Sequence, residues 1–177
     1  FFGQSTSGSI DNALVAYGGG STPIEGGAAN FNAIEIHQAD VRIANSVIDS
    51  NAGGAGGGQR NGRGAHQAAA IYVRGAQPII VDNTIINNGG PAININANAM
   101  RFETLRDTGR TTGPADRYSQ FDDNTGPLVR LNRLDDNSVN GMQVRGEFLT
   151  TETIWDDTDI VHVLSGEVVV GNLHTYN

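Results

Sequence analysis

The stretch AQPIIVDNTIINNGGPAINI, Ala76 to Ile95, has apolar residues that neither alternate like a half-buried strand nor recur at helical spacing. They fall in three short bursts separated by Asn and Gly. Bursts of three or four aliphatic residues predict short strands. The Asn and Gly between them predict tight corners, because those residues enter left-handed backbone conformations at little cost.

The pattern repeats. PIIVDNTIINNGGPAINI (78–95) and PLVRLNRLDDNSVNGMQV (127–144) align without a gap. Pro78 meets Pro127, Asn83 meets Asn132, Ile85 meets Leu134, Asn88 meets Asn137, Ile93 meets Met142 and Ile95 meets Val144. Weaker copies place Asn45 and Val47 of DVRIANSVIDS (40–50), and Asn12 and Leu14 of SIDNALVAY (9–17), in the same frame. A small-aliphatic-x-aliphatic element recurs as AIEI (33–36), AIYV (70–73), AINI (92–95), GMQV (141–144) and, more loosely, IVHV (160–163). From AIYV to AINI is 22 residues, read as the bare repeat. The longer intervals of 37 and 49 residues then hold one repeat plus an inserted loop.

A unit of this length cannot bury its apolar side alone, but stacked units can. If each is one turn of a parallel β-coil, its strands pair with those above and below at ~4.8 Å. Like aliphatic residues then form files, with Asn12, Asn45, Asn83 and Asn132 at a shared corner. Ile43, Val47, Ile71, Val73, Ile85, Ile93, Ile95, Leu134, Met142 and Val144 are expected in the core. The frame P-x-[IV]-x-x-N-x-[IL]-x-x-N followed by AIYVRG or GMQVRG resembles the right-handed parallel β-helix repeats of the pectate-lyase-like superfamily. GSIDNALVAYGGG (8–20) and TTETIWDDTDIVHVLSGEVVV (150–170) resemble β-helix regions of large bacterial secreted or cell-surface proteins. The resemblance implies an all-β, right-handed parallel β-helix of about five to six turns. It is expected to run through residues 1–177 as one segment of a longer chain, with inserts at about 18–31, 51–68 and 97–126.

Composition narrows the function. The 177 residues include 24 Gly and no Cys, so disulfides and thiolate metal sites are excluded. All 11 basic residues are Arg, and the net charge of −8 disfavours nucleic acid and anionic membranes as partners. No apolar run is long enough to span a bilayer.

Catalytic patterns are incomplete. Polygalacturonan hydrolases of the superfamily carry Asn-Thr-Asp, paired Asp, Gly-His-Gly and Arg-Ile-Lys. Here Asn-Thr-Ile (83–85) lacks the carboxylate, Gly-His-Gly is missing and no Lys exists. The pairs Asp122–Asp123, Asp135–Asp136 and Asp156–Asp157 point to opposite faces if they lie on strands. Asp122, Asp123, Asp156, Asp157 and Asp159 are candidate oxygen ligands for a structural calcium ion, although no twelve-residue calcium loop is completed. Arg130, Arg133 and Arg145 are candidates for one basic face. The Gly-rich stretch 51–67 lacks a phosphate-loop signature and reads as a flexible insert, with Arg60, Arg63 and His66 as candidate contacts to an anionic sugar. His37, His66, His162 and His174 show no metal-ligand spacing; His37 and His162 read as surface residues. Tyr72, Tyr118, Phe121 and Trp155 are isolated candidate platforms.

The expected function is a non-catalytic structural or adhesive segment, extracellular or at a cell surface. It would contact polysaccharide, neighbouring copies or the rest of its parent chain, and it names no catalytic or cofactor-binding residue. The alternative is a fragment of a polysaccharide lyase or another carbohydrate-active β-helix enzyme.

Overall fold

The structure is a computed structural model and describes residues 2–3, 6–24, 27–54, 65–101, 126–155 and 159–171. The chain begins with β1 (Ser7–Asp11) and β2 (Leu14–Ala16), then an antiparallel hairpin of β3 (Gly20–Ile24) and β4 (Gly27–Phe31). Three rounds of three strands follow. They are β5 (Ile34–His37), β6 (Asp40–Ala44) and β7 (Val47–Asp49); β8 (Ile71–Arg74), β9 (Ile79–Val81) and β10 (Thr84–Ile86); and β11 (Pro91–Asn96), β12 (Leu128–Arg130) and β13 (Arg133–Asp135). Last come β14 (Val139–Arg145), β15 (Phe148–Leu149), β16 (His162–Ser165) and β17 (Val169–Val170).

The chain is all-β, and its three larger sheets are parallel. Sheet A runs β5–β8–β11–β14–β16, sheet B runs β1–β6–β9–β12 and sheet C runs β2–β7–β10–β13. Each round contributes one strand to each sheet in the same order. Sequence distance between stacked residues varies while register does not. Ile71 lies beside Ile93, 22 residues on, whereas Ile34 and Ile71 are 37 apart and Ile93 and Met142 are 49 apart.

The core follows from these registers. Ile34, Ile71, Ile93 and Met142 form one file of sheet A; Ile36, Val73, Ile95 and Val144 form the next. Ile43, Ile80 and Val129 of sheet B and Ile48 and Ile85 of sheet C face them. Ile and Val suit this place because their branched side chains pack on a pleated surface with few rotamers to lose. On the opposite face of sheet B, Ala44, Ile79, Val81 and Leu128 form a second, smaller apolar cluster.

Three expected frames are off by one residue. In the first copy Leu14 lies beside Val47, and Val15 takes the place beside Ile48. Val47 pairs with Thr84, and Ile48 pairs with Ile85. Val47 is therefore 38% exposed and Ile48 takes its expected core place. Leu134 is only partly buried against the core. In the last copy, Met142 lies beside His162, not beside Val161. Because side chains alternate along a strand, each one-residue slip exchanges the inner and outer faces.

Candidate functional site

Two features gather the polar side chains. The first is a pair of asparagine ladders at the corners of sheet C. The corner between sheets B and C passes through Asn12, Asn45, Asp82 and Leu131, all at positive φ of 48–56°. Asn12 and Asn45 thus occupy the left-handed position one residue before the rung, whereas Asn83 and Asn132 are rungs. The four residues expected to share one place divide between two. Asn83 donates to Ile43 O (2.9 Å) and accepts from Ser46 N–H (3.0 Å), closing the corner of the round before it. Asn132 does the same for Ile80 O (2.7 Å) and Asn83 N–H (3.0 Å), and its Oδ1 also accepts from Asn83 Nδ2 (3.0 Å). Ser46 continues the row with a shorter side chain, accepting from Ala13 N–H at 3.1 Å.

The second ladder stands where sheet C gives way to sheet A. Asn51 links Val15 O to Gly18 N–H, Asn88 links Ile48 O to Asn51 N–H, and Asn137 links Ile85 O to Asn88 N–H, all at 2.8–3.2 Å. Asn51 Nδ2 and Asn88 Nδ2 also donate to the next amide oxygen. Asn140 Oδ1 completes the row by accepting from Asn137 N–H and Nδ2. An amide serves both roles because it carries a donor and an acceptor on one planar group. Beside this ladder the backbones approach closely: a Cβ on Gly53 would lie 2.7 Å from the Gly89 carbonyl group, which accounts for glycine there.

The second feature is the face of sheet A turned away from the core. Alternation brings Glu35 and His37 of β5, Tyr72 of β8, Asn94 of β11 and Gln143 and Arg145 of β14 onto it. All but Gln143 are buried. Glu35 accepts from Asn32 N–H through Oε1 (3.1 Å), and its Oε2 lies 3.2 Å from His37 Nε2. The His37 ring is 5.5 Å from that of Tyr72. Arg145 lies over the other neighbour, its guanidinium carbon 4.4 Å from the Tyr72 ring centre. It donates to Val73 O (2.6 Å) and to Asn94 Oδ1. Burial lowers its pKa from the ordinary arginine value. Residues 65–69 strap the face. Tyr72 OH donates to Ala65 O, Asn94 Nδ2 to Ala68 O, and Asn32 Nδ2 to Gln67 O and Ala69 O. His66, buried in the strap, meets Tyr72 edge-on at 6.4 Å.

His37 is therefore an interior group, not the surface residue expected, and His66, expected as a contact to an anionic sugar, is buried as well. His162 is half-buried and stacks on Trp155 (5.7 Å, 17° between planes). Arg130, Arg133 and Arg145 belong to sheets B, C and A respectively and make no common face. Of the calcium candidates, Asp122, Asp123, Asp156 and Asp157 lie outside the described residues, as do Arg60, Arg63, Tyr118, Phe121 and His174. Asp159 accepts from Leu131 N–H at 2.5 Å and stands 3.9 Å from Arg130. Among the described residues no three His, Asp or Glu side chains are grouped to hold a metal. No helix among them is long and apolar enough to cross a membrane.

Among the described residues the strands of sheet A carry one carboxylate onto this face, Glu35, with both oxygens already in contact with its neighbours. Glu147, just beyond β14, is engaged by Asn96 Nδ2 at 2.8 Å. Glycoside hydrolysis needs two carboxyl groups ~5–9.5 Å apart across a bond. No protein-family model, curated protein or solved structure matches the chain.

Proposed function

We propose that the rounds are turns of a right-handed parallel β-helix, and that the chain is a non-catalytic structural or adhesive segment of a bacterial secreted or surface protein. The handedness rests on the strong right-handed preference of crossovers between parallel strands of one sheet. Five stacked strands of sheet A would make a stiff rod section roughly 20 Å long at ~4.8 Å per turn. Weak contact with polysaccharide or with other copies would be its binding activity. One observation carries the reading: the most polar described face is closed on itself under residues 65–69, with its donors and acceptors engaged by each other. The competing reading, a fragment of a polysaccharide lyase, draws on the nearness of Glu35, His37, Tyr72 and Arg145. Incubation with acidic polysaccharides decides between them. A flat absorbance trace for unsaturated uronate supports the structural role. A rise that Glu35→Gln abolishes refutes it.

A further inference from the structure

We infer that Asn140 is a site of spontaneous covalent modification, where the chain converts its own asparagine to aspartate and isoaspartate. The main-chain nitrogen of Gly141 attacks Cγ of Asn140, and an N–Cγ bond forms. The Cγ–Nδ2 bond breaks, and the amide nitrogen leaves as ammonia with the hydrogen that Gly141 gave up. Water then opens the cyclic imide at either carbonyl. Nothing is oxidised or reduced, and water is the only co-reactant.

Three observations meet at this residue. Pro91 lies beside Val139 and Ile93 beside Met142, so Asn140 and Gly141 together stand opposite the single residue Ala92. Such a bulge leaves one residue outside the ladder and bends the strand, which frees the main chain where the ring must close. Second, Asn140 is exposed, and its Oδ1 accepts from Asn137 N–H (3.0 Å) and Asn137 Nδ2 (2.9 Å). These donors polarise the carbonyl under attack and face the oxygen on which negative charge develops. Third, a Cβ on Gly141 would stand 2.7 Å from Val161 O. Packing thus keeps glycine here, and the absence of a side chain leaves its nitrogen accessible to Cγ.

The same dipeptide at Asn88–Gly89 supplies the contrast. Asn88 is 2% exposed. Its Nδ2 donates to Ile48 O (3.0 Å) and Asn137 Oδ1 (2.7 Å), and its Oδ1 accepts from Asn51 N–H (3.0 Å). The Gly89 N–H donates to Asn51 O (3.0 Å). Reaction there requires the rung to open first. The products also differ in fit. What the ladder takes from Asn140 is an acceptor oxygen, and a carboxylate accepts from Asn137 at least as strongly. What it takes from Asn88 includes donated hydrogens, which aspartate lacks. Asn140 can therefore become an acid in place. The isoaspartyl form adds one main-chain carbon where β14 already carries an extra residue.

Folded protein and protein unfolded in urea are incubated at mildly alkaline pH, cleaved after Arg and mapped by mass spectrometry. Asn140 and Asn88 fall on separate peptides, 134–145 and 75–101. Fragment ions assign each gain of about 1 Da that marks an amide turned to acid. Folding should slow conversion of Asn88 at least about tenfold more than that of Asn140. Asn140→Gln should keep the circular dichroism spectrum and stop conversion at that residue. Asn140→Asp should keep the urea midpoint of the wild type. Equal protection of the two residues, or stronger protection of Asn140, would overturn the inference. So would an Asn140→Asp variant that unfolds at clearly lower urea, because the product would then not fit the rung.

Discussion

Replacing Asn88 by Ala tests whether the ladders hold the rounds in register. Asn88 is 2% exposed and carries the middle rung. Its loss removes the donor to Ile48 O (3.0 Å) and the acceptor for Asn51 N–H (3.0 Å). Two main-chain groups are then left without this partner in a place water does not reach. Each such group costs about 1–3 kcal/mol, so the variant should lose about 2–6 kcal/mol. That is a large part of the roughly 5–15 kcal/mol expected for a folded domain. Asn140→Ala removes the exposed terminal rung, where water can replace the amide, and should cost under about 1 kcal/mol. Asn88→Asp adds a sign test. The carboxylate can still accept from Asn51, but it faces Ile48 O and Asn137 Oδ1 without a hydrogen to offer. Its folded pKa should therefore rise above the unfolded value of about 3.9. The variant should compare best with wild type below that value and worsen as pH rises through the folded pKa. Urea unfolding followed by circular dichroism and Trp155 fluorescence measures all three. An Asn88→Ala cost no larger than that of Asn140→Ala, or an Asp variant that gains on the wild type with rising pH, would refute the reasoning.

Three further outcomes are expected. Ile48→Ala should cost about 2–5 kcal/mol and Val47→Ser less than about 0.5 kcal/mol in the same unfolding assay, because only the first faces the core. Arg145→Met should cost about 2–4 kcal/mol by leaving Val73 O and Asn94 Oδ1 without their charged donor, read as a lower urea midpoint. The Asp49 carboxyl is held below its ordinary value by hydrogen bonds from Asn87 and Ser50. Its contribution is present above the unfolded pKa and lost as pH falls through the folded one. Asn87→Ala should move the Asp49 titration upward by carbon-detected NMR.

The repeat was legible in Pro78–Ile95 and Pro127–Val144 because those copies keep Asn at both corner rungs. The registers of Asn83 with Asn132 and of Ile93 with Met142 follow that alignment. The copy around Asn45 misled because Ser46 stands at the rung, and an Asn sits one place earlier for a different reason: it adopts positive φ. A search for the pair of a left-handed residue followed by a rung side chain would have set Val47 outside. The polar face of sheet A was readable in principle. The outer positions of AIEIH, AIYVR, AININ and GMQVR all carry hydrogen-bonding groups. Their burial was not readable, because it depends on where residues 65–69 run, and no local spacing specifies that path.

The unequal intervals between stacked rounds show that residues can be added between strands while the pairing above and below stays the same. For a flexible addition, doubling the length of such an excursion costs only about 0.6 kcal/mol in closure entropy. Foreign peptides grafted where the chain leaves sheet C for sheet A, or sheet A for sheet B, would be presented from a frame whose geometry is indifferent to their length. The molecule is thus a natural mount for displayed epitopes, its cargo separable from its framework.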